Sequence, residues 1–247
     1  MSDGFIRFSN LHKSFGDKTV LCGLDLRIDR GETVVVLGGS GSGKSVLLRH
    51  TIGLHRPDSG EVWVDGDEIT DRSESELIET RKKVGMLFQA GALFDSMTVM
   101  ENIAFPLREH TDWDEARIEA RVRQVLGLVE LDEVEHLMPA DLSGGMRKRV
   151  ALARAVVLAP RAILYDEPTT GLDPLTANTI NSLIRTLQKR LGVTSIVVTH
   201  DIYSAFTVGD RIAFLHDGKI RFDGGVDEAR ASTEPLLSRF IRSSGYG

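Results

Sequence analysis

The segment Gly38-Gly39-Ser40-Gly41-Ser42-Gly43-Lys44-Ser45 constrains this chain more than any other. It fits G-x-x-x-x-G-K-[ST]. It lies between an apolar β-branched run, Thr33 to Leu37, and a helical apolar pattern that begins at Val46 and Leu47. Glycines let backbone N–H groups converge on one point and cradle phosphate oxygens. The helix that follows adds its positive N-terminal end. Lys44 would reach the β and γ phosphates of a nucleotide, and Ser45 would place its hydroxyl on Mg²⁺. The plain alternative is a flexible Gly/Ser loop, but a strand before it and a helix after it are what a phosphate cradle demands.

The rest of the chain reads as a mixed α/β core around that loop. FIRFSN, VLCGLDLRI and EVWVDG read as antiparallel strands joined by Gly and Asp turns, and VGMLF as a short buried strand. From Val99 to about Val157 the periodicity becomes helical; Ile118, Val122, Val125 and Val129 fall three or four residues apart. Alternation of strand and helix then returns through RAILYD, Leu175 to Leu191, TSIVVT, Ile202 to Val208 and RIAFLHDG. The expected division is a single domain, 1–247: an α/β core with a β subdomain over about 1–88 and 160–230, and an inserted helical subdomain over about 89–159. A C-terminal tail over about 231–247 follows, and its end, SSGYG, is small and polar and expected to fray.

Three further places carry chemistry. Asp166 and Glu167 end the apolar strand RAILYD; Asp166 could hold Mg²⁺ through its water shell, and Glu167 could orient or deprotonate an attacking water. Two acids at a strand end can equally form a solvated turn or a helix cap. His200 follows TSIVVT at the edge where open α/β sheets bind ligands, within reach of a γ-phosphate, although a lone histidine is more often structural. Leu142-Ser143-Gly144-Gly145-Met146 precedes RKRVALARA and offers a second helix-start anion site. A Ser-capped helix start explains the same residues.

Taken in order, these segments resemble the nucleotide-binding domain of ABC proteins over essentially the whole chain. The order is Phe15, Gly38 to Ser45, Gln89, Leu142 to Met146, Asp166-Glu167, Gly171-Leu172-Asp173-Pro174 and His200. The resemblance implies a P-loop NTPase fold with an antiparallel β subdomain and an inserted helical subdomain, and ATP hydrolysis with Mg²⁺. Phe15 would stack on adenine in place of the usual tyrosine. The nucleotide contacts would be Gly38, Gly39, Ser40, Gly41, Ser42, Gly43, Lys44, Ser45, Val46 and Gln89, with Ser45, Gln89 and Asp166 at the metal and Glu167 and His200 catalytic. Ser143, Gly144 and Gly145 would close over ATP held by the other protomer of a homodimer, and Asp173 would bridge the two sites. Met146 departs from the family's usual glutamine. More narrowly, Phe88 to Ser96, Met100 to Arg108 and LSGGMRKR resemble the ATPases of MCE-type lipid transporters, which include the Mla phospholipid systems. That likeness implies an integral membrane permease as partner, with an MCE-domain chain and a small cytosolic accessory subunit. Leu93, Phe94, Met97 and Val99 are the apolar candidates for docking it; subdomain core accounts for each equally well.

Composition bounds these readings. A net charge of −6 argues against a nucleic-acid partner. Cys22 is the only cysteine, which suits a reducing compartment. The start MSDGFIRFSN has no signal-peptide pattern, and no apolar run approaches the roughly 18 residues of a membrane span. The expected location is therefore cytoplasmic, peripheral on the inner face of an inner membrane. The alternatives are an ABC ATPase for another substrate, a soluble ABC ATPase with no permease, and a nucleotide sensor without turnover.

Overall fold

The structure, a computed structural model, describes residues 4–245; the last two residues of the SSGYG segment lie outside the described residues. Strands β1 (Ile6–Phe15) and β2 (Lys18–Ile28) form a hairpin. With β4 (Ser59–Val64) and β5 (Asp67–Glu68) they make an antiparallel sheet in the order β2-β1-β4-β5. Ile6 and Phe8 face the core at period two, and a register shift after Phe8 brings Leu11 in as well. An extra residue in one strand has that effect, because it resets which face the following side chains occupy.

The second sheet contains β3 (Thr33–Leu37), β6 (Val84–Leu87), β7 (Ala162–Asp166), β8 (Thr194–Thr199), β9 (Arg211–His216) and β10 (Lys219–Gly225). Its order is β10-β9-β3-β8-β7-β6; β10 is antiparallel to β9, and the other pairs are parallel. Every residue of β3, β7 and β8 is buried, which is why these strands read as unbroken apolar runs. Successive residues still serve different cores. Val35, Leu37, Ile163, Tyr165 and Val197 pack toward the helical lobe. Val34, Val36, Leu164, Ile196 and Val198 pack toward the antiparallel sheet. The central sheet is thus the middle layer between two hydrophobic clusters.

Helix α1 (Lys44–Thr51) follows the glycine loop, and α2 (Glu74–Lys83) leads into β6. The lobe after β6 holds α3 (Val99–His110), α4 (Glu115–Leu128) and α5 (Gly144–Val156). In α4, Ile118, Val122 and Val125 are buried as the spacing predicts. Helix α3 opens on a capping box between Thr98 and Glu101, and Asp114 caps α4 by accepting from the Arg117 N–H. The core is completed by α6 (Pro174–Leu191), α7 (Ile202–Val208), α8 (Val226–Arg230) and α9 (Pro235–Ser243). The segment expected as a tail therefore contains a helix, α9, which buries Leu237 and Ile241 one turn apart. No helix among the described residues is long and apolar enough to cross a membrane.

His50, in α1, makes stability depend on pH. Its Nδ1–H donates to the Val46 carbonyl at 2.7 Å, while Nε2 is buried with no hydrogen-bond partner among the described residues. Burial, followed by smaller effects from His55 and Lys13, pushes its pKa down from 6.5 to about 4; the Val46 carbonyl and Asp58 oppose the shift. The native imidazole stays neutral where the unfolded chain takes up a proton. The unfolded state then binds more protons, so stability falls as the pH drops from 6.5 toward 4 and levels off below that. Between pH 7 and pH 5 this group should cost about 2 kcal/mol of stability. Thermal melts of wild type and His50→Leu at both pH values test the assignment; an equal pH dependence in the two proteins would reject it.

Candidate functional site

Strands β3, β8, β7 and β6 run parallel and adjacent, so their carboxyl ends share one edge of the sheet. The glycine loop leaves β3, His200 follows β8, Asp166 and Glu167 end β7, and Gln89 follows β6. Ligands in open α/β sheets bind at this edge, just beyond the strand ends. Residues spread over much of the sequence are gathered there by strand order alone.

The loop needs its glycines for two separate reasons. Gly41 and Gly43 adopt φ of 76° and 102°, which L side chains rarely adopt. At Gly38 the space is closed: a Cβ would lie 2.4 Å from the Leu215 carbonyl oxygen. Lys44 Nζ donates to the Gly38 and Gly39 carbonyls at 2.9 Å each and lies 3.5 Å from Glu167 Oε1. Burial pushes the Lys44 pKa down, while the charge and hydrogen bond of Glu167, then the charge of Asp166, push it back up. Ser45 Oγ donates to Asp166 Oδ1 at 2.6 Å.

Glu167 is held from several sides. It is 8 % exposed. Its Oε2 accepts from Thr170 Oγ1 at 3.2 Å, Thr199 Oγ1 at 3.4 Å and His200 Nδ1 at 2.9 Å. Its backbone has φ of 47°, and its N–H donates to the Val198 carbonyl at 3.0 Å. A non-glycine residue in this region costs on the order of 1 kcal/mol and persists only where its surroundings enforce it. The hydrogen bonds to Glu167 supply that enforcement. Thr170 and Thr199 had no individual signal in the sequence, since threonine at a strand end or turn is common.

A hydroxyl beside a carboxylate is a small, hard oxygen donor set. Among the described residues, no group of three or more His, Cys, Asp and Glu side chains could hold a metal alone. As hard oxygen donors, Ser45 and Asp166 would suit Mg²⁺, with waters and phosphate oxygens completing its shell. Gln89 is exposed on the loop after β6, and its main-chain carbonyl accepts from Lys148 Nζ.

Phe15 ends β1 and is exposed; it pairs with Lys18 across the hairpin. The next residues of β2 approach the glycine loop, where a Cβ on Gly43 would lie 2.9 Å from Val20 Cγ1. The Phe15 ring meets His55 edge-on, with centroids 5.3 Å apart, and Lys13 Nζ lies 5.3 Å from its centroid. Val46 is half-buried against the cluster beneath the antiparallel sheet.

The remaining candidates form a second group. Ser143 caps α5 by accepting from the Met146 N–H at 3.2 Å. Asp173 caps α6, accepting from the Leu175 and Thr176 N–H groups and from Thr176 Oγ1. A Cβ on Gly145 would lie 2.5 Å from Thr176 Cγ2, so the two helix starts are in contact. The polar partners of Ser143 and Asp173 are local to their own caps, whereas Lys44, Ser45, Asp166, Glu167 and His200 interlock with one another.

Comparison with known proteins matches residues 21–170 to a family described as ABC transporter. The chain is similar to the intermembrane phospholipid transport system ATP-binding protein MlaF of Haemophilus influenzae, at 39% identity over 247 residues, covering 100% of this chain and 94% of that protein. It is also similar to the probable ribonucleotide transport ATP-binding protein mkl of Mycobacterium tuberculosis, at 43% identity over 242 residues, covering 98% and 67%. A solved dimeric post-hydrolysis state of the ATP-binding cassette MJ0796, bound to ADP and Pi, superposes with a TM-score of 0.82 at 35% identity, covering 90% of this chain and 98% of that one.

Proposed function

The chain belongs to the ABC transporter family and is an ATPase of it, and from that premise we propose that it powers a separate lipid permease of the MCE type. In this reading two protomers pair head to tail. Each ATP lies between the glycine loop of one protomer and the Ser143–Gly145 segment of its partner. Ser45, Asp166 and Gln89 serve Mg²⁺, which would neutralise charge on the transferred phosphoryl group when bound. Phe15 stacks on adenine. Lys44 neutralises phosphate charge, Glu167 takes a proton from the attacking water, and His200 fixes the Glu167 carboxylate and faces the γ-phosphate. The observation that carries this reading is the interlocked set of Lys44, Ser45, Asp166, Glu167 and His200 at one sheet edge. The dimeric state of MJ0796 with ADP and Pi supports the pairing.

The partner's docking place follows from the helical lobe. An apolar groove of about 590 Å³ runs between the core and the lobe, lined by Leu54, Met86, Phe94, Phe105, Pro106 and Leu158 among others. Of the four apolar candidates, Val99 is 0 % exposed and belongs to the core, and Leu93 packs partly against that same core. Met97 is half-buried. Phe94 is 43% exposed, and its ring lies 5.2 Å from that of Phe105. Asn102 fixes the loop behind it, accepting from the Phe94 N–H at 2.8 Å and donating to the Phe94, Met97 and Thr98 carbonyls. An apolar helix end of the permease is the occupant proposed here.

MlaF supports a phospholipid substrate by its name; mkl, named for ribonucleotides, gives a second reading with the same ATPase and a different permease. Mass spectrometry of the tagged complex from its native membrane separates them: an MCE-domain chain with bound phospholipid supports the first, and a nucleotide permease without one rejects it. Phe94→Asp should lower the membrane-bound fraction by ~10-fold or more, through roughly 2 kcal/mol of lost apolar contact and a carboxylate pressed into the groove. ATP binding by the isolated subunit should not change. Full membrane retention would place the docking surface elsewhere.

A further inference from the structure

Helix α5 does more than present the Ser143–Gly145 segment at its start. Lys148, 7 % exposed, donates from Nζ to the main-chain carbonyl of Gln89. Arg154, further along the same helix, donates to the carbonyls of Gly91 at 3.0 Å and Ala92 at 2.8 Å. Its guanidinium also lies 5.7 Å from the centre of the Phe94 ring. The loop that leaves β6 thus has the carbonyls of Gln89, Gly91 and Ala92 bound to one helix of the lobe. Gly91 and Ala92 take φ of 79° and 51°, a pair of left-handed residues. A tight turn, Gly91 N–H to Phe88 O at 2.8 Å, precedes them.

The chemistry of the contacts is one-sided. Ammonium and guanidinium groups only donate, and a row of carbonyls only accepts. A neutral hydroxyl or amide could make one of these bonds, but a cation makes them stronger. A buried lysine must also be compensated electrically. Burial pushes the Lys148 pKa down, and the carboxylates of Asp166 and then Glu167 push it back up. What ties Lys148 to the Gln89 loop is its hydrogen bond to the Gln89 carbonyl.

We propose that Lys148 and Arg154 are positioning residues that clamp the Gln89 loop to α5, so that Gln89 at one ATP and Ser143–Gly145 at the other move as one body. A 13-residue helix is a stiff connector of about 20 Å. A displacement of the Gln89 loop on one nucleotide then carries the Ser143 end toward or away from the nucleotide of the opposite site. The inference rests on the roles given above to Gln89 and Ser143.

The test is Lys148→Met, which keeps the length of the side chain and removes the charge. ATP affinity of the subunit should stay within about 2-fold, since Lys148 lies outside the phosphate cradle. Turnover should fall by about 10- to 100-fold, the scale of a misplaced catalytic group. Lys148→Arg should recover most of it. Lys148→Met should also cost little further turnover once Gln89→Ala is present, because residues acting through one another are non-additive. Thermal melting reports folding; if Lys148→Met does not fold, Arg154→Gln carries the same expectations from a half-buried position. Wild-type turnover in a folded variant, or full additivity with Gln89→Ala, overturns the clamp. Turnover in Lys44→Ala would instead overturn the nucleotide assignment on which the clamp rests.

Discussion

Glu167→Gln is expected to retain ATP and to lose turnover by about 10²- to 10⁴-fold. The change keeps the length and planarity of the side chain and removes only the proton acceptor. The pocket around it is already defined by Thr170, Thr199 and His200, so the amide has no other place to go. It must put an NH₂ toward these groups or toward Lys44, and either choice loses a favourable contact. Lys44 keeps Asp166 as a source of negative potential, so the phosphate cradle stays charged. The variant should accumulate as an ATP-bound dimer, visible by size-exclusion chromatography with ATP and Mg²⁺. Single-turnover measurements isolate the chemical step. Wild-type rates there would remove Glu167 from the role of base.

The left-handed backbone of Glu167 offers an independent view of the same role. A helix cap or solvated turn, the plain reading of two acids at a strand end, would leave the second acid exposed and relaxed. Here it is buried, strained and tied to three side chains. Strain that survives at a strand end is typical of functional positions.

What the sequence made legible was what burial makes periodic. Thr33–Leu37, Ala162–Asp166 and Thr194–Thr199 are covered on both faces, so they stand out as apolar runs, and the glycine loop is bracketed by one of them. Helix α2 was missed because its only buried residues are Leu77 and Thr80; the Ser73 and Glu76 capping box was the available signal. Helix α9 was missed although Leu236, Leu237, Phe240 and Ile241 give two apolar pairs four residues apart; nine residues at the chain's end are short for a periodic signal. Strand β10 alternates through Ile220 and Phe222 but ends in two glycines, which read as a turn.

The site was legible in its motifs and not in its joints. Phe94 and Val99 are neighbours in sequence and alike in hydrophobicity, yet one lines a groove and the other is core. That difference depends on how Asn102 folds the intervening loop back onto α3, which no local pattern encodes. Lys148 sits in the basic run Arg147-Lys148-Arg149 and Arg154 follows after four apolar residues, a pattern that gives neither a structural role. Only packing against the Gln89 loop shows that they are structural cations.

Lys44→Ala should lower turnover by about 10²-fold or more, on the scale of losing a charged group aimed at developing phosphate charge. Alanine leaves the Gly38 and Gly39 carbonyls without their donor and Glu167 without its nearby cation. Among the described residues the other buried lysine, Lys148, is committed to the Gln89 carbonyl. Ser143→Arg should also stop turnover, but from the other half of the proposed composite site, by placing a bulky side chain where a partner's phosphates would lie. The two lesions together test the head-to-tail geometry. Mixed in equal amounts, half of the dimers carry one of each, and in those dimers one site has both damaged halves while the other has none. If the sites fire independently, activity should return to about a quarter of wild type. If hydrolysis needs both sites, the readout shifts to nucleotide trapping: with Glu167→Gln added to both chains, a mixed dimer should occlude one ATP. A mixture that occludes none while each chain remains folded would mean that Ser143 serves its own chain's nucleotide, and the composite site would be lost.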